Sequence, residues 1–301
     1  MMTEDLEQIA GQHKVVVRDL MKVYRRGQKE VIALRGIDFE VANGEFLSIV
    51  GPSGSGKSTL LKMLGALDRP TAGTILFDGN SLTLLDDRRA MLFRRQKVGF
   101  VWQTGNLVPG LTALKNVTLP MRLAGAPKAA ANERARMLLG TMGLEDRISH
   151  KPNQLSGGEN QRVAICVALA NKPELLLADE VTGELDSETA TMVMESLKKT
   201  NEEFGTSIVN VTHNPRVAQY AERVLHIRDG LIEGQKHAVY GDITEIDAKG
   251  RMVIPETVRR LAGIRKRVVL RVTPDGLLLS PLSSQDLDNE VPETGVGTAE
   301  P

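Results

Sequence analysis

The 301-residue sequence contains a single cysteine, Cys166, which excludes an intramolecular disulfide and suits a reducing cytosol. It has no apolar stretch near the roughly 20 residues that a membrane helix needs, so a role at a membrane would have to come through a partner. The opening "MMTEDLEQIAGQHK" is acidic and has no apolar core, which predicts no secretory leader. Neither charge is in excess. The 38 Lys and Arg balance 38 Asp and Glu, so global charge points neither to nucleic acid nor to a lipid surface. No internal repeat is evident. With 41% hydrophobic and 25% charged residues, the composition is that of an ordinary globular protein, long enough for about two domains.

The hydropathy pattern divides the chain. "KVVVRDLMKVY" and "VIALRGIDFEV" alternate apolar and polar residues, as half-buried antiparallel strands do. Further on, short apolar runs ("EFLSIV", "LLLAD", "TSIVNVT") alternate with helical stretches, which predicts an α/β fold with a parallel sheet covered on both faces. Residues 112–143 read as helix with breaks at Pro120 and Pro127. "ERVLHIRDGLIEG" predicts a hairpin around Asp229-Gly230 that closes a domain of residues 14–234.

Two motifs carry chemistry. Gly51, Pro52, Ser53, Gly54, Ser55, Gly56, Lys57, Ser58 and Thr59 form a GxxxxGK[ST] phosphate loop between an apolar strand and a helix. Amides bared by the glycines, together with the helix N-terminus, suit an anion. Lys57 would reach the β and γ oxygens of a nucleotide, and the Ser58 hydroxyl would ligate Mg²⁺. "LLLADE" ends in Asp179, suited to the same metal, and Glu180, suited to polarise an attacking water. "LSGGE" places Ser156, Gly157 and Gly158 at another helix start, a second loop suited to phosphate.

In this order, with their companions, these elements resemble the ABC ATPases over about residues 14–234. The resemblance implies a P-loop NTPase fold and an ATPase using ATP and Mg²⁺, with catalytic roles for Glu180, His213 and Lys57. It assigns Tyr24 to adenine stacking and Gln103 to a loop that touches Mg²⁺ and senses a membrane partner. Ser156, Gly157 and Gly158 would contact the γ-phosphate held by a second copy, with Asp186 and His213 in the adjoining D-loop and switch. The family works as head-to-tail dimers with two ATPs sandwiched between phosphate loop and signature loop. "GALDRPTAGTILFDG", "NLVPGLTALKNVTLPMRLAG" and "NQLSGGENQRVAI" look most like the lipoprotein-releasing and macrolide-export group. That implies a separate transmembrane permease subunit docking near Leu107, Val108, Pro109 and Leu111, and a cytoplasmic ATPase peripheral to the inner face of the cell membrane. Rival readings are a nucleotide-gated DNA-binding regulator and a division-type signalling ATPase without cargo. The chain departs from the group's usual residues at Trp102, Val167, Val181, Glu184 and Asn214, none of which removes a catalytic group.

A module of residues 238–282 follows, and then an acidic stretch, 283–301, expected to be disordered. "IDAKGRMVIPETVRRLAGI" resembles the AbrB-type swapped-hairpin domain at Asp247, Gly250, Arg251, Ile254, Pro255 and Arg259. A mainly β hairpin, "RVVLRVTPDGLLLSP", completes it, with its turn at Pro274-Asp275-Gly276. Such a unit is too small to bury much core alone and would pair with a copy of itself. Arg251 and Arg259 would be the contacts if it bound DNA. A two-fold clamp joining two ATPase subunits is the favoured reading.

Overall fold

The computed structural model describes residues 13–27, 29–183, 185–237, 241–243, 268–273 and 276–281. Contacts divide the chain into two compact units at Ile243/Thr244.

The first unit is built on two sheets. Strands β1 (His13–Arg26) and β2 (Lys29–Ala42) pair antiparallel, as their alternating sequences predict. With β4 (Ala72–Phe77) and β5 (Asn80–Ser81) they form a four-stranded antiparallel sheet in the order β2-β1-β4-β5. The second sheet has seven strands. Its parallel part runs β9 (Arg223–Arg228), β3 (Phe46–Val50), β8 (Ser207–Thr212), β7 (Leu175–Asp179), β6 (Val98–Val101). β10 (Leu231–His237) continues it antiparallel to β9 through the predicted turn, where Asp229 and Gly230 both have positive φ, 48° and 78°. β11 (Gly241–Ile243) then pairs with β10. The sheet therefore carries the first unit past Gly234, where sequence patterning placed its end.

Side chains of the central strands alternate between two cores, as the period of a strand requires. Phe46, Leu176, Ala178 and Ile208 pack on one face with four helices: α3 (Ala113–Leu123), α4 (Lys128–Thr141), α5 (Gly157–Leu169) and α6 (Ser187–Phe204). Leu47, Ile49, Leu175, Leu177, Val209 and Val211 pack on the other, against α1 (Lys57–Leu64) and the antiparallel sheet. Each fully buried Leu or Ile contributes about 1.5–3 kcal/mol. The central strands are thus held from both faces, and their C-terminal ends are a rigid mount for loops.

Glu174, just before β7, ties three elements together. It bonds Lys14 of β1 at 2.9 Å and also Lys97, the last residue of α2 (Asp87–Lys97). Burial alone would raise its carboxyl, but the hydrogen bonds from Lys97 and Lys14 outweigh it and pull the pKa down to about 2.

Pro127 separates α3 from α4, as expected, but Pro120 does not break the helix and sits inside α3. The missing amide bond costs less than the burial of Val117 and Met121 on either side of it secures. No described helix is long and apolar enough to cross a membrane.

Of the second unit the described part is a hairpin, β12 (Val268–Thr273) antiparallel to β13 (Gly276–Pro281), with Thr273 opposite Gly276. Arg251, Arg259, the rest of the AbrB-like line and residues 283–301 lie outside the described residues, as does Glu184.

Candidate active site

The phosphate loop leaves β3 at its C-terminal end and enters α1. Its glycines are there for space and backbone angle. A Cβ on Gly51 would lie 2.1 Å from the Ile227 carbonyl oxygen. One on Gly56, where φ is +102°, would lie 2.5 Å from that of Ala33. Lys57 is only 4% exposed, and its ammonium donates to the Gly51 and Pro52 carbonyls, 2.9 Å each. The Ser55 hydroxyl, buried in the same loop, has no protein hydrogen-bond partner. An open loop of bared amides around a buried lysine and a buried, unpaired hydroxyl fits a polyphosphate.

Asp179 ends β7 beside this loop and accepts a 3.0 Å hydrogen bond from the Ser58 hydroxyl. Burial, and after it the Glu180 carboxylate, push the Asp179 carboxyl above its usual range, against the Ser58 hydrogen bond. Glu180 takes a left-handed backbone, φ 48°, which is rare for a residue with a side chain. Its amide is held by the Val211 carbonyl at 2.9 Å. That turn swings its carboxylate to 3.7 Å from Lys57 Nζ and 3.2 Å from His213 Nδ1. Two acids, a lysine, a hydroxyl and a histidine thus converge from three adjacent strands. No group of three or more His, Cys, Asp or Glu suited to a metal exists among the described residues. The Asp179–Ser58 pair alone suits Mg²⁺, which keeps water and phosphate oxygens as its other ligands.

Ser156 caps α5. Its hydroxyl accepts from the Glu159 amide at 3.2 Å while Glu159 accepts from the Ser156 amide at 2.8 Å, a reciprocal capping box. A Cβ on Gly158 would fall 2.0 Å from Thr189 Cγ2, so this glycine lets α5 meet α6. Asp186 caps α6, accepting from the amides of Glu188 and Thr189 at 3.1 and 3.0 Å and from the Thr189 hydroxyl at 2.6 Å. The hydrogen bonds from Thr189 hold its carboxyl below the usual range. Gln103 is exposed and lies against the turn after Glu180, 3.3 Å from where a Gly183 Cβ would be. Tyr24, on β1, is 36% exposed.

Two residues that patterning missed organise these loops. Asn116 is 3% exposed. It accepts from the Val108 amide at 2.7 Å and donates to the carbonyls of Val108, Leu111 and Thr112, fixing the loop after Gln103. Gln161 of α5 donates to the Trp102 carbonyl at 2.9 Å, linking α5 to the Gln103 loop. A polar residue at a buried helical position was the available signal in each case. Leu107 packs in part against the core, while Val108 is 43% exposed.

The four unusual residues among those described are accommodated by local packing and capping. Trp102 stacks on Phe100 at 4.9 Å, Val181 is buried, and Val167 packs at the core edge. Asn214 caps the short helix α7 (Pro215–Ala218), accepting from the Arg216 amide at 3.0 Å.

Comparison with known proteins places this arrangement. The ABC transporter family model matches residues 34–183. An ABC transporter ATP-binding protein of Thermotoga maritima is 51% identical over 74% of this chain and 96% of its own. The lipoprotein-releasing system ATP-binding protein LolD of Geobacter metallireducens is 47% identical over 72% of this chain and 96% of its own. A solved dimeric structure of the ATP-binding cassette MJ0796 of Methanocaldococcus jannaschii, in a post-hydrolysis state bound to ADP and Pi, has a TM-score of 0.70. It is 44% identical and covers 74% of this chain and 98% of that one. By fold, by the loops gathered at its strand ends and by these likenesses, the chain belongs to the ABC transporter ATP-binding proteins, in the LolD-like group, and is an ABC ATPase.

Proposed function

We propose that this ATPase is the energising subunit of an export or lipoprotein-release system and works as a head-to-tail dimer. In that reading Gly51, Pro52, Ser53, Gly54, Ser55, Gly56 and Thr59 surround the phosphates, and Lys57 neutralises the β and γ oxygens. Ser58 and Asp179, with Gln103 at the edge, would hold Mg²⁺, which when bound neutralises charge developing on the phosphates. Glu180 accepts the proton of the attacking water, and His213 keeps its carboxylate aimed. Tyr24 takes the adenine. Ser156, Gly157, Gly158 and Asp186 close on the nucleotide of the other copy. The observation that carries this is Glu180 itself, held in a left-handed turn with His213 at 3.2 Å and Lys57 at 3.7 Å.

The partner would be a separate membrane permease, with the ATPase peripheral to the cytoplasmic face of the membrane. A groove of about 300 Å³ lined by Gln103, Gly105, Leu107, Asn160, Gln161 and Leu185 adjoins the Gln103 loop and suits a helix of such a subunit. Val108→Asp, beside the groove residue Leu107 on the same loop, tests this docking surface, because Val108 is exposed where Leu107 is tied to the core. Basal ATP hydrolysis is expected to stay within about twofold, as for a surface change. Recovery of the permease in pull-downs from solubilised membranes should be lost. Unchanged recovery contradicts the docking surface.

The terminal module is read as an AbrB-type dimeriser that keeps two ATPase units together, supported by its sequence and by the β12–β13 hairpin. Such pre-pairing raises the effective concentration of the second unit to about the millimolar level. A chain ending at Ile243, which keeps β10 and β11, should sediment as monomer without nucleotide where the full chain is dimeric. Identical sedimentation of the two removes the clamp.

A further inference from the structure

Asp68 lies in the turn after α1, the helix that starts at the phosphate loop, and its amide bonds the Lys62 carbonyl of that helix at 3.3 Å. Its carboxylate gathers three donors. Oδ2 accepts from the Tyr24 hydroxyl at 2.9 Å. Oδ1 accepts from Lys22 Nζ and from the Arg69 amide, 2.7 Å each. Lys22 donates as well to the Arg69 carbonyl at 2.7 Å, and its ammonium sits over the Tyr24 ring, 4.8 Å from the centroid. The ring is thus fixed at its hydroxyl by a carboxylate and on one face by a cation, which leaves the other face for a flat partner. The two anchors belong to different elements: Lys22 is on β1 with Tyr24, while Asp68 lies in the turn that ends the helix carrying Lys57.

We propose that Asp68 is a positioning residue for the nucleotide base, setting the plane of Tyr24 in register with the phosphate loop through α1. The proposal rests on the reading of Tyr24 as the adenine platform. Lys22 completes the device by pinning both Asp68 and the ring. In Asp68→Asn the amide oxygen stays with Lys22 and Arg69 and the amide nitrogen can only donate to the Tyr24 oxygen. The charged acceptor of the Tyr24 hydroxyl thus gives way to a weaker, neutral contact of reversed direction, and the ring is held less firmly although the residue keeps its shape.

The test is calorimetric titration of the full-length chain with Mg-ATP and, as a ligand without a base, Mg-tripolyphosphate. Asp68→Asn and Tyr24→Phe are each expected to weaken Mg-ATP about three- to tenfold, the span of one hydrogen bond's net contribution. The double variant should be no weaker than Tyr24→Phe alone, since Asp68→Asn acts on a bond that Tyr24→Phe already removes together with the contact to the Thr59 hydroxyl. Tripolyphosphate should bind all of them as it binds the parent, which also shows that the variants fold. The proposal is overturned if Asp68→Asn binds Mg-ATP normally, if it loses both ligands equally, or if the two changes add. Tyr24→Ala separates the underlying reading. Weakened Mg-ATP in Tyr24→Ala beside normal binding in Asp68→Asn and Tyr24→Phe overturns the proposal while the platform stands. Normal binding in Tyr24→Ala overturns the platform and the proposal with it.

Discussion

Glu180→Gln should bind Mg-ATP about as tightly as the parent and lose about 10²–10⁴-fold in turnover, the range for removing a general base. The substitution keeps size and shape, so the left-handed turn at φ 48° and the amide bond to Val211 persist. What goes is the negative charge that His213 faces at 3.2 Å and that can take a proton from water. Steady-state phosphate release, read beside equilibrium ATP binding, separates the two effects. Turnover within a few-fold of the parent would show that another group is the base.

Lys57→Ala should fail one step earlier. A hydrogen bond to a charged group contributes about 1.5–3 kcal/mol, so affinity for Mg-ATP is expected to drop on the order of 10- to 100-fold. The loss has two sources. The ammonium no longer meets the phosphates, and the Gly51 and Pro52 carbonyls that it ties at 2.9 Å are released, loosening the loop. Because Lys57 is buried, nothing from solvent replaces it cheaply. Titration at several ATP concentrations reads the effect as a shifted Kd, and an unchanged Kd would detach Lys57 from the phosphates.

The phosphate loop is legible in the sequence because its constraints are local: glycines where a Cβ would strike a backbone carbonyl, a lysine and a serine at fixed spacing, a strand before and a helix after. The parallel sheet is legible for a related reason. Strands buried on both faces must be largely apolar, and β3, β7 and β8 are, with the buried Ser48 and Asn210 bonded to each other. The organising residues are harder to read. Asn116, Gln161 and Asp68 act through partners distant in the chain, or through carbonyls that any residue supplies, so their types alone carry little signal. Pro120 misleads because a local penalty is overridden by tertiary burial. Asp186 shows two demands on one position: the D-loop carboxylate that resemblance assigns is also the cap of α6, so the sequence pattern cannot separate the roles. The short strand β4 draws its place from β1, and β5 draws its place from β4, rather than from their own patterning.

The central claim is that each nucleotide is enclosed by the phosphate loop of one copy and the Ser156–Gly158 loop of another. It is tested most directly by ATP retention in Glu180→Gln, where hydrolysis cannot release the ligand. After incubation with Mg-ATP and gel filtration, the account predicts about one ATP per chain eluting with a dimer, and loss of that retention when Ser156→Arg is added, since an arginine in the capping position fills the closing surface. ATP lost from Glu180→Gln on the column, or retained equally with Ser156→Arg present, would contradict a site shared between two copies.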